Sequence, residues 1–412
     1  MIVQRDNIGL FGRVNVGKST IMNLLTQQEC SIVDVKPGTT ADIKSMPAEI
    51  HGLGPVNLFD TAGIDEDGVL GEKKRTKTFN CLRECDLALL AVNPSSEDFA
   101  WEEMIMSEAK KLGKQLLVIF NVFDEDSRHG LFNSYKSIGI KAIDTSCRQP
   151  LLEFILNNFK PGNKQFELLP FIEEGQFYVL NIPMDEETPQ GRLLRPQQMV
   201  EEYITRRWAY PVSYRMNLSK ARKGDADEKN RFEEFIQRIK PKAIITDSQA
   251  MDIMAKWVFD DIMLTTFSIV MINHMSRGRL DTFVEGVKAL DTLKIGDKVL
   301  IAEACNHSRI SEDIGTVQIP RYLKEYYPGV IVEHSFGREF PANLKEYKLI
   351  IHCGGCMIDS QKLGARLEEL GKAGVSITNY GIFLAAINGK EALDRVLRPW
   401  RLKSSLALGK NV

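Results

Sequence analysis

The chain has no run approaching the roughly 18 uninterrupted apolar residues of a spanning helix, and Arg5 and Asp6 interrupt its start. Neither a transmembrane segment nor a signal-like apolar core is expected, and a cytoplasmic location follows. It also lacks an excess of either charge: 53 basic against 55 acidic residues leave a net charge of -2. A nucleic-acid footprint spread over the whole surface is therefore not supported. Cysteine is scarce, with 7 in 412 residues, odd in number and too sparse for a disulfide framework. Reduced thiols or metal ligands are the better expectation. What is present is ordinary: 43% hydrophobic and 26% charged residues argue for folded domains, and the length argues for more than one core.

No internal repeat or low-complexity tract is visible. The expected fold class is α/β, an N-terminal P-loop domain followed by two smaller α/β domains. From Asn7 to Phe159, strand-like runs (Ile8-Phe11, Val56-Phe59, Leu87-Val92, Leu116-Asn121, Ala142-Asp144) alternate with helical patterns such as Glu102-Leu112. That alternation predicts a parallel sheet covered by helices on both faces. The polar break Lys160-Lys164 places a boundary near 165. The second region, 166–275, has strand-like Phe177-Ile182, Ala243-Thr246 and Leu264-Ile272, helix-like Gln197-Trp208, Phe232-Ile239 and Ser248-Phe259, and a charged stretch Ser219-Asn230 that reads as a solvated loop. As a strand, Leu264-Ile272 needs cover on both faces, from its own domain or from a second copy in a homodimer. The third region, 276–412, alternates strands (Lys298-Ile301, Val330-Val332, Leu349-His352) with helices and holds three of the cysteines.

Gly12-Arg13-Val14-Asn15-Val16-Gly17-Lys18-Ser19 fits G-x-x-x-x-G-K-[ST], between an apolar strand and a helical stretch that begins Ser19-Thr20. Its glycines let backbone N–H groups wrap phosphates, the Lys18 ammonium meets their charge, and the Ser19 hydroxyl is placed to hold magnesium. Asp60-Thr61-Ala62-Gly63 ends a strand, so Asp60 can reach a magnesium-bound water and Gly63 can bring an N–H to the terminal phosphate. Thr40, in the polar loop between these motifs, is the candidate to close over the metal when the third phosphate is present.

On these motifs residues 1 to about 160 resemble translation-factor-class GTPases of the TrmE-Era group. The resemblance implies GTP as ligand. The guanine-reading Asn-Lys-x-Asp of that class stands here as Asn121-Val122-Phe123-Asp124, with Val122 in the lysine position. Asp124 would accept hydrogen bonds from guanine N1 and its exocyclic amine, and Ser146-Cys147 would place the Cys147 N–H toward guanine O6. Ile64 occupies the position of the water-orienting glutamine of Ras-like enzymes and cannot do that work. Asn15 matches an asparagine that this group associates with a potassium ion beside the phosphates. Glu72 is a candidate to position water from a loop.

Cys305-Asn306-His307 and His352-Cys353-Gly354-Gly355-Cys356 each follow a strand, so loops of an α/β domain gather them at one end. Five ligand-type residues in two short clusters point to metal: zinc as Cys3His, or an iron-sulfur cluster with three thiolates and an exchangeable fourth ligand. Cys30, Cys81 and Cys85 have no ligand-like company. Together with the N-terminal motifs, Cys-x-His followed after 44 residues (308 through 351) by His-Cys-Gly-Gly-Cys resembles the HydF family, GTPase maturases of FeFe-hydrogenase. The resemblance covers the whole chain in order: GTPase domain 1–165, dimerisation domain 166–275, cluster domain 276–412. It implies a 4Fe-4S cluster on Cys305, Cys353 and Cys356, with His307 and His352 in or beside the site and one iron position exchangeable. Its implied partners are apo FeFe-hydrogenase, the other maturases and a second copy, and its implied role is to carry a diiron precursor. The competing reading is an RNA-modification or ribosome-assembly GTPase with structural zinc; near-neutral charge and the lack of a basic Gly-x-x-Gly loop oppose it.

Overall fold

The computed structural model describes residues 5–26, 44–50, 52–61, 63, 68–122, 133–159, 167–183, 193–304, 313–337, 339–355 and 358–405. They fall into two compact units, 2–164 and 165–412.

The first unit runs β1 (Asp6–Phe11), α1 (Lys18–Thr26), β2 (Lys44–Ile50), β3 (Gly54–Asp60), α2 (Gly68–Glu84), β4 (Leu87–Val92), α3 (Ala100–Lys111), β5 (Gln115–Asn121), β6 (Ser137–Ile140) and α4 (Arg148–Asn158). Its sheet has the order β2-β3-β1-β4-β5-β6. Every residue of β1 and β4 is buried, as expected of central strands covered on both faces. Alternate residues serve opposite cores: Leu87, Leu89 and Ala91 pack with α1 and α4 residues such as Leu25 and Leu151. Ala88, Leu90 and Val92 pack with Leu82 of α2 and Ile105 of α3.

Two expectations change here. The sheet is not wholly parallel, because β2, unrecognised in the sequence, pairs antiparallel with β3 at the edge. An edge tolerates its Pro47, which lacks a ladder donor. The sixth strand is Ser137–Ile140, not Ala142-Asp144; Asp144 instead turns its side chain onto the Ser146 N–H and starts a 3-10 turn. Cys81 and Cys85 sit one turn apart on α2 with sulfurs 3.9 Å apart. Burial, then Cys81, pushes the Cys85 thiol well up, so it stays protonated.

The second unit runs β7 (Phe177–Asn181), α5 (Arg195–Arg206), β8 (Tyr210–Tyr214), α6 (Leu218–Arg222), α7 (Ala226–Ile239), β9 (Ala243–Thr246), α8 (Met251–Trp257), β10 (Met263–Thr266), α9 (Phe267–Met275), α10 (Leu280–Gly286), β11 (Lys298–Glu303), α11 (Ile319–Tyr326), β12 (Ile331–Phe336), β13 (Tyr347–His352), α12 (Ser360–Ala373), β14 (Ser376–Asn379), α13 (Tyr380–Ile387) and α14 (Lys390–Leu397). Two parallel four-stranded sheets result, β10-β9-β7-β8 and β12-β11-β13-β14. In chain order both are second-first-third-fourth, read from opposite edges. Topology therefore repeats although the sequence shows no repeat. The final strand-to-helix junctions also match: Thr266 caps α9 at φ -117°, ψ 152°, and Asn379 caps α13 at φ -117°, ψ 154°. Val179 and Ile244 of one sheet and Leu300 and Ile350 of the other belong to one core.

The long strand expected at Leu264-Ile272 is a correction. Only Met263–Thr266 is strand; the Thr266 hydroxyl accepts from the Ile269 N–H and starts α9. Cover for the apolar run comes from the same chain: Ile269, Met271 and Ile272 enter the shared core, and Phe267 and Val270 enter the core beneath α5. The run itself is no argument for a partner. The charged stretch Ser219-Asn230 is also not a loop. Asn217 and Asp225 each accept an N–H three residues on, starting α6 and α7. Among the described residues no helix is long and apolar enough to cross a membrane.

Candidate nucleotide and metal sites

Between β1 and α1 the backbone enters conformations that side chains resist: Gly12 has φ +142°, Gly17 +93° and Asn15 +60°. Glycine removes the penalty at the first two, and asparagine tolerates the left-handed region better than most residues. The Lys18 ammonium lies buried beneath this loop, donating to the carbonyls of Gly12 (3.2 Å) and Arg13 (2.6 Å). Ser19 Oγ donates to Asp60 Oδ2 at 2.7 Å, joining the two candidate magnesium ligands from opposite ends of the nucleotide motifs. The Thr61 hydroxyl donates to Leu10 O at 2.6 Å and so ties the Asp60 turn to β1. A Cβ on Gly63 would come within 2.6 Å of the Val14 nitrogen, so only glycine fits against the phosphate loop there.

Asn121, at the end of β5, is buried and joins two loops. Its Nδ2 donates to Val16 O at 3.0 Å, and its Oδ1 accepts the Ala142 N–H at 3.0 Å. The base-side loop containing Ser146 and Cys147 is thereby fixed to the phosphate loop. Ser146 is exposed and Cys147 half-buried, its N–H donating to Asp144 O at 3.1 Å. Val16 packs in the core, and Thr20 is an exposed residue of α1. Glu72 is exposed on α2 and not in a loop. Thr40 and Asp124 lie outside the described residues.

Sequence reading missed a latch on the phosphate loop. Arg13 donates to both carboxylate oxygens of Glu102 on α3 at 3.2 Å and to Asp98 Oδ2 at 3.0 Å. Burial pushes the Glu102 carboxyl up, and Arg13 opposes that shift. The signal was an arginine inside the glycine motif facing an acidic first turn of α3.

In the second unit, Cys353 follows β13 and is buried. Its sulfur accepts the Ala304 N–H at 3.3 Å, and its own N–H donates to Ala302 O at 3.0 Å. The ends of β11 and β13 are thus stitched together, and the residue after Ala304 is Cys305. Gly354 and Gly355, the latter at φ +70°, carry the chain toward position 356. An N–H aimed at sulfur suits a thiolate ligand, whose charge it stabilises. Cys305, His307 and Cys356 lie outside the described residues. Beside Cys353 a cavity of about 190 Å³ opens between the carboxyl ends of the two sheets, lined by Asp247 and Ser248 from one and Glu303 and Tyr380 from the other. Tyr380 OH donates to Glu303 Oε1 at 3.1 Å. Burial, then the charges of Cys353 and Glu303, pushes that phenol well up and keeps it protonated.

His352, expected in or beside the site, is fully buried. Its Nδ1 lies 2.7 Å from Cys353 O and its Nε2 2.7 Å from Arg366 Nη1. Both ring nitrogens thus lie within hydrogen-bond distance of protein groups in this arrangement. Arg366 was not foreseen; it stands on α12, far from either cysteine motif in sequence.

A phosphate loop after the central strand, a joined Ser19–Asp60 pair at its lip and an asparagine across from it define a P-loop GTPase domain. Residues 7–122 accordingly match the family model described as a 50S ribosome-binding GTPase. Residues 168–276 match the hydrogen maturase F dimerization domain, and 281–399 the hydrogen maturase F tetramerization domain. The chain belongs to the hydrogen maturase F family. Among curated proteins it is 30% identical to GTPase Der of Nitratiruptor sp. over 130 residues, 31% of this chain and 28% of that one. To tRNA modification GTPase MnmE of Geobacter sulfurreducens it is 38% identical over 128 residues, 30% and 27% of the two chains. The chain spans 26% to 38% of the length of such curated relatives. A crystal structure of Era with MgGDPNP and a 16S ribosomal RNA segment aligns over 40% of this chain and 60% of that one, at 24% identity and a TM-score of 0.32.

Proposed function

We propose that the protein hydrolyses GTP, binds a 4Fe-4S cluster through Cys305, Cys353 and Cys356, and serves as the scaffold that carries a diiron precursor to apo FeFe-hydrogenase. The observation that carries this reading is the match of 168–276 and 281–399 to two hydrogen maturase F domains behind a GTPase domain. Domains so described also favour self-association, as a homodimer or a higher oligomer. The cysteine chemistry fits: a buried sulfur already accepting an N–H stands beside the strand end that leads into Cys305. A cluster bound there would supply an iron with a replaceable ligand, to which a second iron fragment can be bridged.

In hydrolysis, water attacks the γ-phosphorus, the bond to the β-γ bridging oxygen breaks, and GDP and phosphate leave. The loop N–H groups donate to the phosphates and the Lys18 ammonium, which here donates to the loop carbonyls, offsets their charge. Ser19 and Asp60 would hold magnesium, with Thr40 closing over it. Gly63 presents its N–H to the γ-phosphate, Asp124 reads guanine, and Ser146 and Cys147 shape the base pocket. Asn15 would hold potassium where Ile64 offers no water-orienting group. Hydrolysis then acts on protein contacts rather than on the cluster.

The test is anaerobic purification and reconstitution, followed by metal analysis and transfer to apo-hydrogenase. Expected are about four irons per chain by the cluster's formula and hydrogenase activation that needs the loaded protein. Stoichiometric zinc without iron after reconstitution would refute the scaffold reading.

A further inference from the structure

At the carboxyl ends of β11, β12 and β13, a closed circuit of hydrogen bonds surrounds the Cys353 turn. Arg366, 2% exposed, donates through Nη2 to Gly337 O at 2.6 Å. The Gly337 N–H donates to Glu303 O at 2.8 Å, next to the Ala304 N–H that reaches the Cys353 sulfur. Through Nη1 the same guanidinium meets His352 Nε2. The Phe340 ring lies 4.5 Å from it and stands edge-on to His352.

Proton accounting fixes the imidazole. A guanidinium has donors only, so His352 Nε2 must accept; a carbonyl accepts only, so Nδ1 must carry the proton it gives to Cys353 O. The nitrogen whose lone pair would bind iron is committed to a permanently charged neighbour. Turning it to a metal would break its contact with the buried Arg366 guanidinium.

We propose that Arg366 is a positioning residue of the cysteine site, holding His352 as the Nδ1–H tautomer and away from ligation, so that the fourth iron position stays open to exchange. The proposal rests on the cluster reading above. It explains why an imidazole can adjoin Cys353 without closing the site a scaffold must leave replaceable. In place of a ligand, His352 becomes a brace, gripping the Cys353 carbonyl at one end and Arg366 at the other.

The experiment uses the full chain as Arg366→Met, Arg366→Lys, His352→Gln and His352→Gln/Arg366→Met, each reconstituted anaerobically. Pulsed EPR of the reduced cluster should find no His352 nitrogen coupling in the parent protein. Arg366→Met should keep its iron, gain a strong imidazole nitrogen coupling that the double variant lacks, and need roughly tenfold more added imidazole to shift its spectrum, because a tethered ligand competes at millimolar effective concentration. If Arg366→Met does not fold, Arg366→Lys, whose compact ammonium lacks the planar fork that spans His352 Nε2 and Gly337 O, carries the same comparison. A His352 coupling already present in the parent protein, or an unchanged spectrum and imidazole response in the Arg366 variant, overturns the proposal. If no variant holds iron, the cluster reading fails by itself, and 15N histidine NMR of the metal-free chain decides: His352 protonated at Nδ1 alone, and released by the Arg366 substitution, upholds Arg366 as its anchor. Protonation at Nε2 in the parent refutes it.

Discussion

Replacing Asn121 by Ala tests whether the two halves of the nucleotide site are held together by one side chain. It removes the donor to Val16 O and the acceptor for the Ala142 N–H, both buried. Each orphaned backbone group costs about 1–3 kcal/mol. Water entering the shortened site relieves part of this, so ~2–4 kcal/mol is expected for the pair. In a unit of this size about 2–4 °C of Tm accompanies each kcal/mol, so the first unit should melt roughly 4–16 °C lower. Hydrogen exchange on the full chain gives the sharper readout: Ala142 N–H should exchange at least ~30-fold faster, the equivalent of about 2 kcal/mol. Gly17 adds a second axis, because a Cβ there would sit 2.3 Å from Asn121 Nδ2. Gly17→Ala should therefore cost less on the Asn121→Ala background, by about 0.5–3 kcal/mol of coupling, although the strain of φ +93° persists. Asn121→Asp keeps the Ala142 acceptor but sets an oxygen against Val16 O. Burial and that carbonyl raise the introduced carboxyl's pKa in the folded state. Its protonated form is therefore favoured by folding, so this variant is relatively best at low pH and loses stability as pH rises through that raised pKa. An unchanged Tm together with an unchanged Ala142 exchange rate would refute the argument.

Other expectations follow from the same sites. Asp124→Asn should weaken GTP binding and narrow the preference over ATP by roughly tenfold or more; equal turnover of the two nucleotides by the unmodified protein would remove the guanine assignment. GTP hydrolysis should run faster in potassium than in sodium chloride at matched ionic strength, and Asn15→Ala should erase the difference; identical parent rates in both salts would leave Asn15 as a turn residue. Ser in place of Cys305, Cys353 or Cys356 should abolish stable cluster assembly while GTP turnover survives, since the nucleotide motifs belong to the other unit; iron retained in all three would sink the ligand set. Sedimentation should find the full chain associated at micromolar concentration, whereas a monomer would remove the self-association inferred from the domain descriptions.

The chemistry of this protein was legible where it depends on a contiguous run of residues. A phosphate loop needs glycines, a lysine and a hydroxyl at set intervals because one turn of backbone must wrap one anion, so Gly12 to Ser19 declared itself. Cys353 was likewise legible as a strand-end residue, because the apolar run before it forms β13. Central strands such as Leu87–Val92 announced themselves by unbroken hydrophobicity. Other features depended on what surrounds a segment. Leu264-Ile272 reads as strand because a short apolar run has no period that separates buried strand from buried helix; the Thr266 cap and cores on both sides of α9 decided it. The twofold use of one sheet topology left no trace in sequence, since strand order is set by packing and not by residue identity. Asn121's role as a brace, the Arg13 latch to α3, and the commitment of His352 to Arg366 all join residues far apart in the chain. Hydrogen-bonding capacity can be read from a residue's name, but which groups satisfy it once water is excluded is decided only when the chain is folded.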